Sequence, residues 1–188
     1  MKFNARKAAQ TIAYLCLKHG GRPLNVLKVV KLLYIADRES VRQRGFPIQQ
    51  DRYVSMPHGP VNSMAYAFID GFCDDPESGW SDFVGPRRGY VVGLPDGAVG
   101  EQLDLDELSA AERRILDEVW QRFGHMGHYQ LRDWTHDRAN VPEWEDPNGS
   151  SRDLPLVRMM EAVGRQDARE RSEYAADMAA VDEMFASL

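Results

Sequence analysis

The stretch "VLKVVKLLYIADRESVRQR" at residues 26 to 44 constrains the fold more than any other part of the chain. Val26, Val29, Val30 and Leu33 recur at helical spacing and make one apolar face, and Leu27, Leu32 and Ile35 widen that face into a broad band. A helix this apolar on several sides has to be covered on several sides, so it belongs at the centre of a domain with other elements arranged around it. Asn25 is placed to cap its first turn, and "GFPIQQ" ends it.

The rest of the chain supplies short elements that could do the covering. Residues 4 to 18 form a helix with Ala8, Ile12 and Leu15 on the inner stripe, stopped by "HGGRP". "DRYVSM" has the β-rich look of a strand, and it leads into "MPHGPVNSMAYAF" at 56 to 68. There Gly59 and Pro60 suit a strand-to-helix junction, with Pro60 at the first helical position and Gly71 as the stop. The expected helix covers 60 to 70, with Val61, Met64, Ala65 and Phe68 facing inward. "WSDFVGPRRGYVVGL" reads as a hairpin, Phe83 and Val84 on one strand and Tyr90 to Val92 on the other. A capping box, "SAAE" from Ser109 to Glu112, opens a helix through Phe123 with Ile115, Leu116, Val119 and Trp120 inward. "HYQLRDWTH" and "LPLVRMMEAVG" are two further short helices, separated by the proline-rich, acidic "VPEWEDPNGSSRDLP". The expected fold class is therefore α+β, mostly α-helical, a compact helical domain with a small β-hairpin or short antiparallel sheet. Residues 1–165 form the domain, and the thinly apolar 166–188 form a helical extension that docks weakly or meets another chain.

With 188 residues the chain has room for one ordinary core. The net charge of −6 argues against a broad nucleic-acid footprint, because phosphate binding needs a clustered excess of Lys and Arg. No run approaches the roughly 20 apolar residues of a membrane-spanning helix, which points to a cytoplasmic protein and away from membranes. Cys16 and Cys73 are far apart and form neither a disulfide framework nor a metal half-site.

Few residues are arranged for chemistry. His125, His128 and His136 lie within a dozen positions but lack the HExxH or CxxC spacing of a zinc site. No serine or cysteine stands in a nucleophile motif, and the carboxylates Asp74 with Asp75, or Glu143 with Glu145 and Asp146, read as solvated charges in turns. One glycine followed by a proline makes a poor phosphate cradle. Arg87 and Arg88 form a basic turn, and Tyr53, Tyr129, Trp134 and Trp144 are the aromatic candidates for a binding face. The expectation is a protein without catalytic residues, cofactor or metal.

Taken in order, "KLLYIAD" (31 to 37), "HGPV" (58 to 61) and "WTH" (134 to 136), with the capped helix "LSAAERRILDEVWQRFG" and with "PEWEDP", resemble the Panacea domain family over about residues 8 to 165. That family is found in SocA-like antitoxins and phage-associated proteins. The resemblance implies a mostly helical fold with a small β element, no enzymatic activity, and the role of an antitoxin that neutralises a cognate toxin by direct contact. The expected contact face combines Tyr34, Met56, His58, Pro60, Trp134 and Trp144, with acidic rim charges steering a basic partner. Other outcomes stay open beside masking: an adaptor that hands its partner to a protease, a nucleic-acid-binding regulator acting through Arg87 and Arg88, and self-association into a homo-oligomer.

Overall fold

The computed structural model describes residues 3–186 except 74, 99, 101 and 102, so Asp74 of the Asp74–Asp75 pair lies outside the described residues. In chain order the elements are α1 (Ala5–Lys18), β1 (Leu24–Asn25), α2 (Val26–Arg44), β2 (Tyr53–Met56), β3 (Gly59–Asn62), α3 (Ser63–Asp70), β4 (Val91–Val92), α4 (Ala110–Phe123), α5 (His128–His136), β5 (Arg152–Asp153), α6 (Leu156–Ala162) and α7 (Ala168–Ala186). The fold is α+β and mostly helical, as the sequence leads one to expect. Its two antiparallel sheets are small, one ordered β1-β4 and the other β3-β2-β5.

Helix α2 is central. It packs against α1, α3, α4, α5, α6 and β3, and residues around its whole circumference are buried, from Val26 through Val29, Leu32, Leu33 and Tyr34 to Val41. One core lies between α2 and α1, α4 and α5, built from Ala8, Ile12, Leu15, Leu32, Leu33, Ile115, Leu116 and Leu131. A second lies on the other side of α2, where Tyr34 and Val41 meet Tyr53, Val141, Trp144, Leu154, Met159 and Met160. Each large apolar side chain fully buried in this way contributes about 1.5–3 kcal/mol. Capping follows the sequence: Asn25 Oδ1 accepts from the amides of Leu27 and Lys28, and Ser109 and Glu112 form the reciprocal box of α4.

The start of α3 differs from expectation. Gly59–Asn62 is a strand, paired Met56 with Gly59, Ser55 with Pro60, Val54 with Val61 and Tyr53 with Asn62, and Pro57 and His58 make the two-residue turn between β2 and β3. Pro60 is therefore a strand residue and does not open the helix. It is tolerated because β3 is an edge strand, where a missing N–H need not break the ladder. The helix begins at Ser63, and its first amides are capped from a distance: Met64 N and Ala65 N donate to the two carboxylate oxygens of Asp51. Ala65 and Ile69 are its buried residues, Met64 and Phe68 are half-buried, and Gly71 ends it in the left-handed region at φ 75°.

The expected 83–92 hairpin is also rearranged. The chain does reverse there, through reciprocal bonds between Arg88 and Val91 and a bond from Gly85 N to Gly93 O. The strand partner of Val91–Val92, however, is Leu24–Asn25, and Phe83 and Val84 follow a short 3-10 turn, Trp80–Asp82. Beyond α6, helix α7 starts on the second core with Ala168 buried and the Arg171 guanidinium 4.9 Å from the Phe46 ring centroid. Further along it, Tyr174, Val181 and Met184 are exposed.

Candidate functional site

Gly59 marks the point where three separate sequence motifs meet. Its φ of 89° is one that side-chain-bearing residues rarely adopt, and a Cβ there would stand 2.7 Å from Thr135 Oγ1, 3.0 Å from Lys31 Nζ and 3.2 Å from His136 Cδ2. "HGPV", "KLLYIAD" and "WTH" are thus neighbours in space. The glycine lets the β2–β3 hairpin lie directly on α2 and the end of α5.

Lys31 is fully buried, and its Nζ donates to the Pro60 carbonyl at 2.9 Å. Burial pulls its pKa down from 10.5 to about 7, with no carboxylate acting in the opposite direction. Beside it, His136 stacks on Trp144 with ring centroids 4.6 Å apart, and its buried Nε2 has no hydrogen-bond partner. Burial first, then the charges of Lys31 and Arg132, lower the His136 pKa. Trp144 Nε1 donates to the Met56 carbonyl at 3.2 Å and so holds the hairpin from the other side.

Nearly two turns further along α2, Asp37 is buried and accepts from Ile48 N, Gln49 N, the Tyr53 hydroxyl and Asn62 Nδ2 at 2.7–3.0 Å. Burial pushes its pKa up to about 7 against the pull of these donors. Asp51, which caps α3, is pushed up to about 6 for the same reason. On the adjacent face Tyr34 donates its hydroxyl to Glu143 at 2.8 Å, and Arg38 Nε donates to the same oxygen at 2.7 Å. Glu143 is therefore a buried, paired carboxylate. The expectation of a solvated loop charge fails because the loop folds inward on Val141 and Trp144 and needs a partner for the tyrosine and the arginine.

Beside this buried polar network lies an open cleft of about 860 Å³. Val26, Val30, Lys31 and Val61 form its base, and Met56, Pro57 and His58 at the hairpin turn form one side. Tyr66, Arg87 and Tyr90 form another, and His128, Tyr129 and Gly149–Ser151 close the end. Tyr90 and Tyr129 are 79% and 59% exposed. A smaller cleft of about 300 Å³ lies along α2 and α4, between Arg38, Glu39, Arg42, Glu118, Arg122 and Trp134.

The six residues expected on one contact face are divided by these surroundings. His58 is exposed, Met56 and Trp134 are half-buried, Pro60 is buried within the hairpin, and Tyr34 and Trp144 are buried against it. Trp134 faces the smaller cleft, with its ring 4.8 Å from that of Phe123. Tyr53 is buried and Tyr129 lies on the rim of the larger cleft. Arg87 is paired with Asp70 and Arg88 with Asp96, so the basic turn carries its own counter-charges. His125 is exposed, His128 lines the larger cleft and His136 lies under it. Among the described residues no group of three or more His, Cys, Asp or Glu is placed to hold a metal ion. Cys16 is buried and Cys73 half-buried, both as free thiols.

Lys31, Asp37, Gly59 and Glu143 were not among the expected contact residues, yet they organise the site. A signal for two of them is present in the sequence: Lys31 and Asp37 are charged positions inside a helix whose surroundings are apolar on all sides, and a charge there has to be matched by the fold.

A family model described as antitoxin SocA-like, Panacea domain, matches residues 29–145, more than half of the chain. Neither a curated protein nor a solved structure matches it. Among the described residues no helix is long and apolar enough to cross a membrane.

Proposed function

Because this chain belongs to the antitoxin SocA-like, Panacea domain family, we propose that it is the antitoxin of a toxin–antitoxin pair and neutralises its cognate toxin by direct contact. The observation that supports this is the convergence at Gly59. Lys31, the "HGPV" hairpin and the Thr135–His136 pair are used to hold the wall of an open cleft in place, with exposed aromatic rings at its rim. Rigid aromatic anchors around a preformed groove are what protein recognition uses. An acyl-transfer or hydrolytic site would instead need a nucleophile within reach of a base.

In this reading Met56 and His58 contact the toxin directly, together with Tyr90 and Tyr129, while Tyr34 and Trp144 support the hairpin from below and Pro60, within it, accepts the Lys31 bond. Trp134 extends the surface along the second cleft. The binding unit spans residues 1–165, and the helix beyond it is a partner-specific extension.

The direct experiment is co-expression with candidate toxins, beginning with any small open reading frame adjacent to this gene. Rescue of growth and co-purification of a stoichiometric complex are expected, with the half-life of the toxin unchanged. A protein that fails to rescue, or that captures no toxin, is not its antitoxin, and a shortened toxin half-life would point to delivery to a protease.

A further inference from the structure

We infer that the larger cleft receives an acidic segment of the partner, one in which carboxylates flank an apolar or aromatic side chain. The inference rests on the antitoxin reading and adds the chemistry of the toxin element that is bound.

Charge complementarity carries it. The chain has 29 Asp and Glu against 23 Lys and Arg, yet among the described residues that line this cleft there is no carboxylate. Its ionisable groups besides the tyrosines are His58, Arg87 and His128, with Lys31 beneath them, its amine buried and bonded to the Pro60 carbonyl. The remaining polar groups are hydroxyls and an amide, from Ser150, Ser151, the three tyrosines and Asn25. Asp70 lies behind Arg87, its side chain only 11% exposed, and it is already bonded to that guanidinium. A basic segment entering here would find no acceptor of opposite charge and would meet the Arg87 guanidinium. An acidic segment would meet the donors of His58, Arg87, His128 and the serine and tyrosine hydroxyls, and like-charge mismatch is what excludes wrong partners from a groove. The acidic rim expected to steer a basic toxin is therefore not the lining of this site.

The apolar part of the segment is set by the base and rim. Val26, Val30 and Val61 make a floor of aliphatic side chains, and Tyr90 and Tyr129 are large rings left exposed at its edge. Such rings lose little conformational entropy on contact and accept either an aliphatic or an aromatic side chain against them.

The test uses the full chain and three short fluorescein-labelled peptides that share one Leu-Phe-Leu centre and are flanked by Asp and Glu, by Lys, or by Ser. Fluorescence anisotropy is expected to show the acidic peptide binding at least about tenfold more tightly than the other two, with affinity falling as salt is added. His58→Glu and Ser151→Glu each place a carboxylate at an exposed position of the lining. Each is expected to weaken the acidic peptide severalfold, whereas Ser81→Glu, exposed and outside the cleft, leaves it unchanged. Circular dichroism confirms that all three variants fold. Equal or tighter binding of the basic peptide overturns the inference, as does absence of acidic-peptide binding. So does full toxin neutralisation by the His58→Glu, Ser151→Glu double variant after it has lost the acidic peptide. That last result leaves the antitoxin role standing, while failure of the wild-type chain to neutralise removes the role itself.

Discussion

Lys31 Nζ and the Pro60 carbonyl oxygen are 2.9 Å apart, a single hydrogen bond that ties the buried face of the central helix to the edge strand of the hairpin. The amine has no exposed surface and no anionic partner, so the fold holds it near the point of losing its proton.

Stability should therefore rise with pH above neutrality. Lys31 titrates at about 7 in the folded chain and at its ordinary 10.5 when unfolded. Between those values the unfolded chain binds the extra proton, and this one group adds a slope approaching about 1.4 kcal/mol per pH unit. Urea unfolding across that window measures it, and Lys31→Met is expected to remove that part of the slope. Identical slopes for the two proteins would show that the amine stays charged.

Gly59→Ala should cost about 2–3 kcal/mol, because the new methyl carries the strain of a positive φ and presses on Thr135 Oγ1 and Lys31 Nζ. Gly71→Ala, with a similar φ but open space around it, should cost less. Thermal melts of the two variants side by side separate crowding from backbone strain.

Asp37→Asn should destabilise the chain by about 2–4 kcal/mol. Its carboxylate accepts four hydrogen bonds from Ile48, Gln49, Tyr53 and Asn62, and an amide nitrogen would turn one acceptor into a donor facing donors. Chemical denaturation reads the loss directly. A variant as stable as the parent would mean that Asp37 is held protonated and its bonds are readily rearranged.

Glu143→Ala leaves the Tyr34 hydroxyl and the Arg38 guanidinium without their shared acceptor in a buried site. The expected loss is about 3–5 kcal/mol, and Glu143→Gln, which keeps one acceptor oxygen, should recover part of it. Equal losses for the two variants would place the effect in packing rather than in the ion pair.

How far the fold was legible depended on the range of the forces that make each element. The helices at 5–18, 26–44, 110–123, 128–136 and 156–162 are written in apolar spacing and in caps that lie within a few residues of the amides they satisfy, such as Asn25 and the Ser109–Glu112 box. The start of α3 was misplaced because its cap is Asp51, across the hairpin, while the glycine and proline that resemble a local start are spent on the edge strand. The partner of β4 was missed for a related reason: Leu24–Asn25 is too short a strand to stand out and is extended only by its pairing.

By itself the sequence determined the central helix, the order of the elements around it and the family to which the chain belongs, because periodicity, local capping and ordered motifs are properties of neighbouring residues. Only the tertiary structure decided that Lys31, Gly59 and Thr135–His136 meet, that Glu143 is drawn inside to Tyr34 and Arg38, and that the larger of the two clefts has no carboxylate among the described residues that line it. Those relationships join positions far apart in the chain. They exist because a buried charge or an unpaired polar group must find its match wherever packing brings one within hydrogen-bond reach.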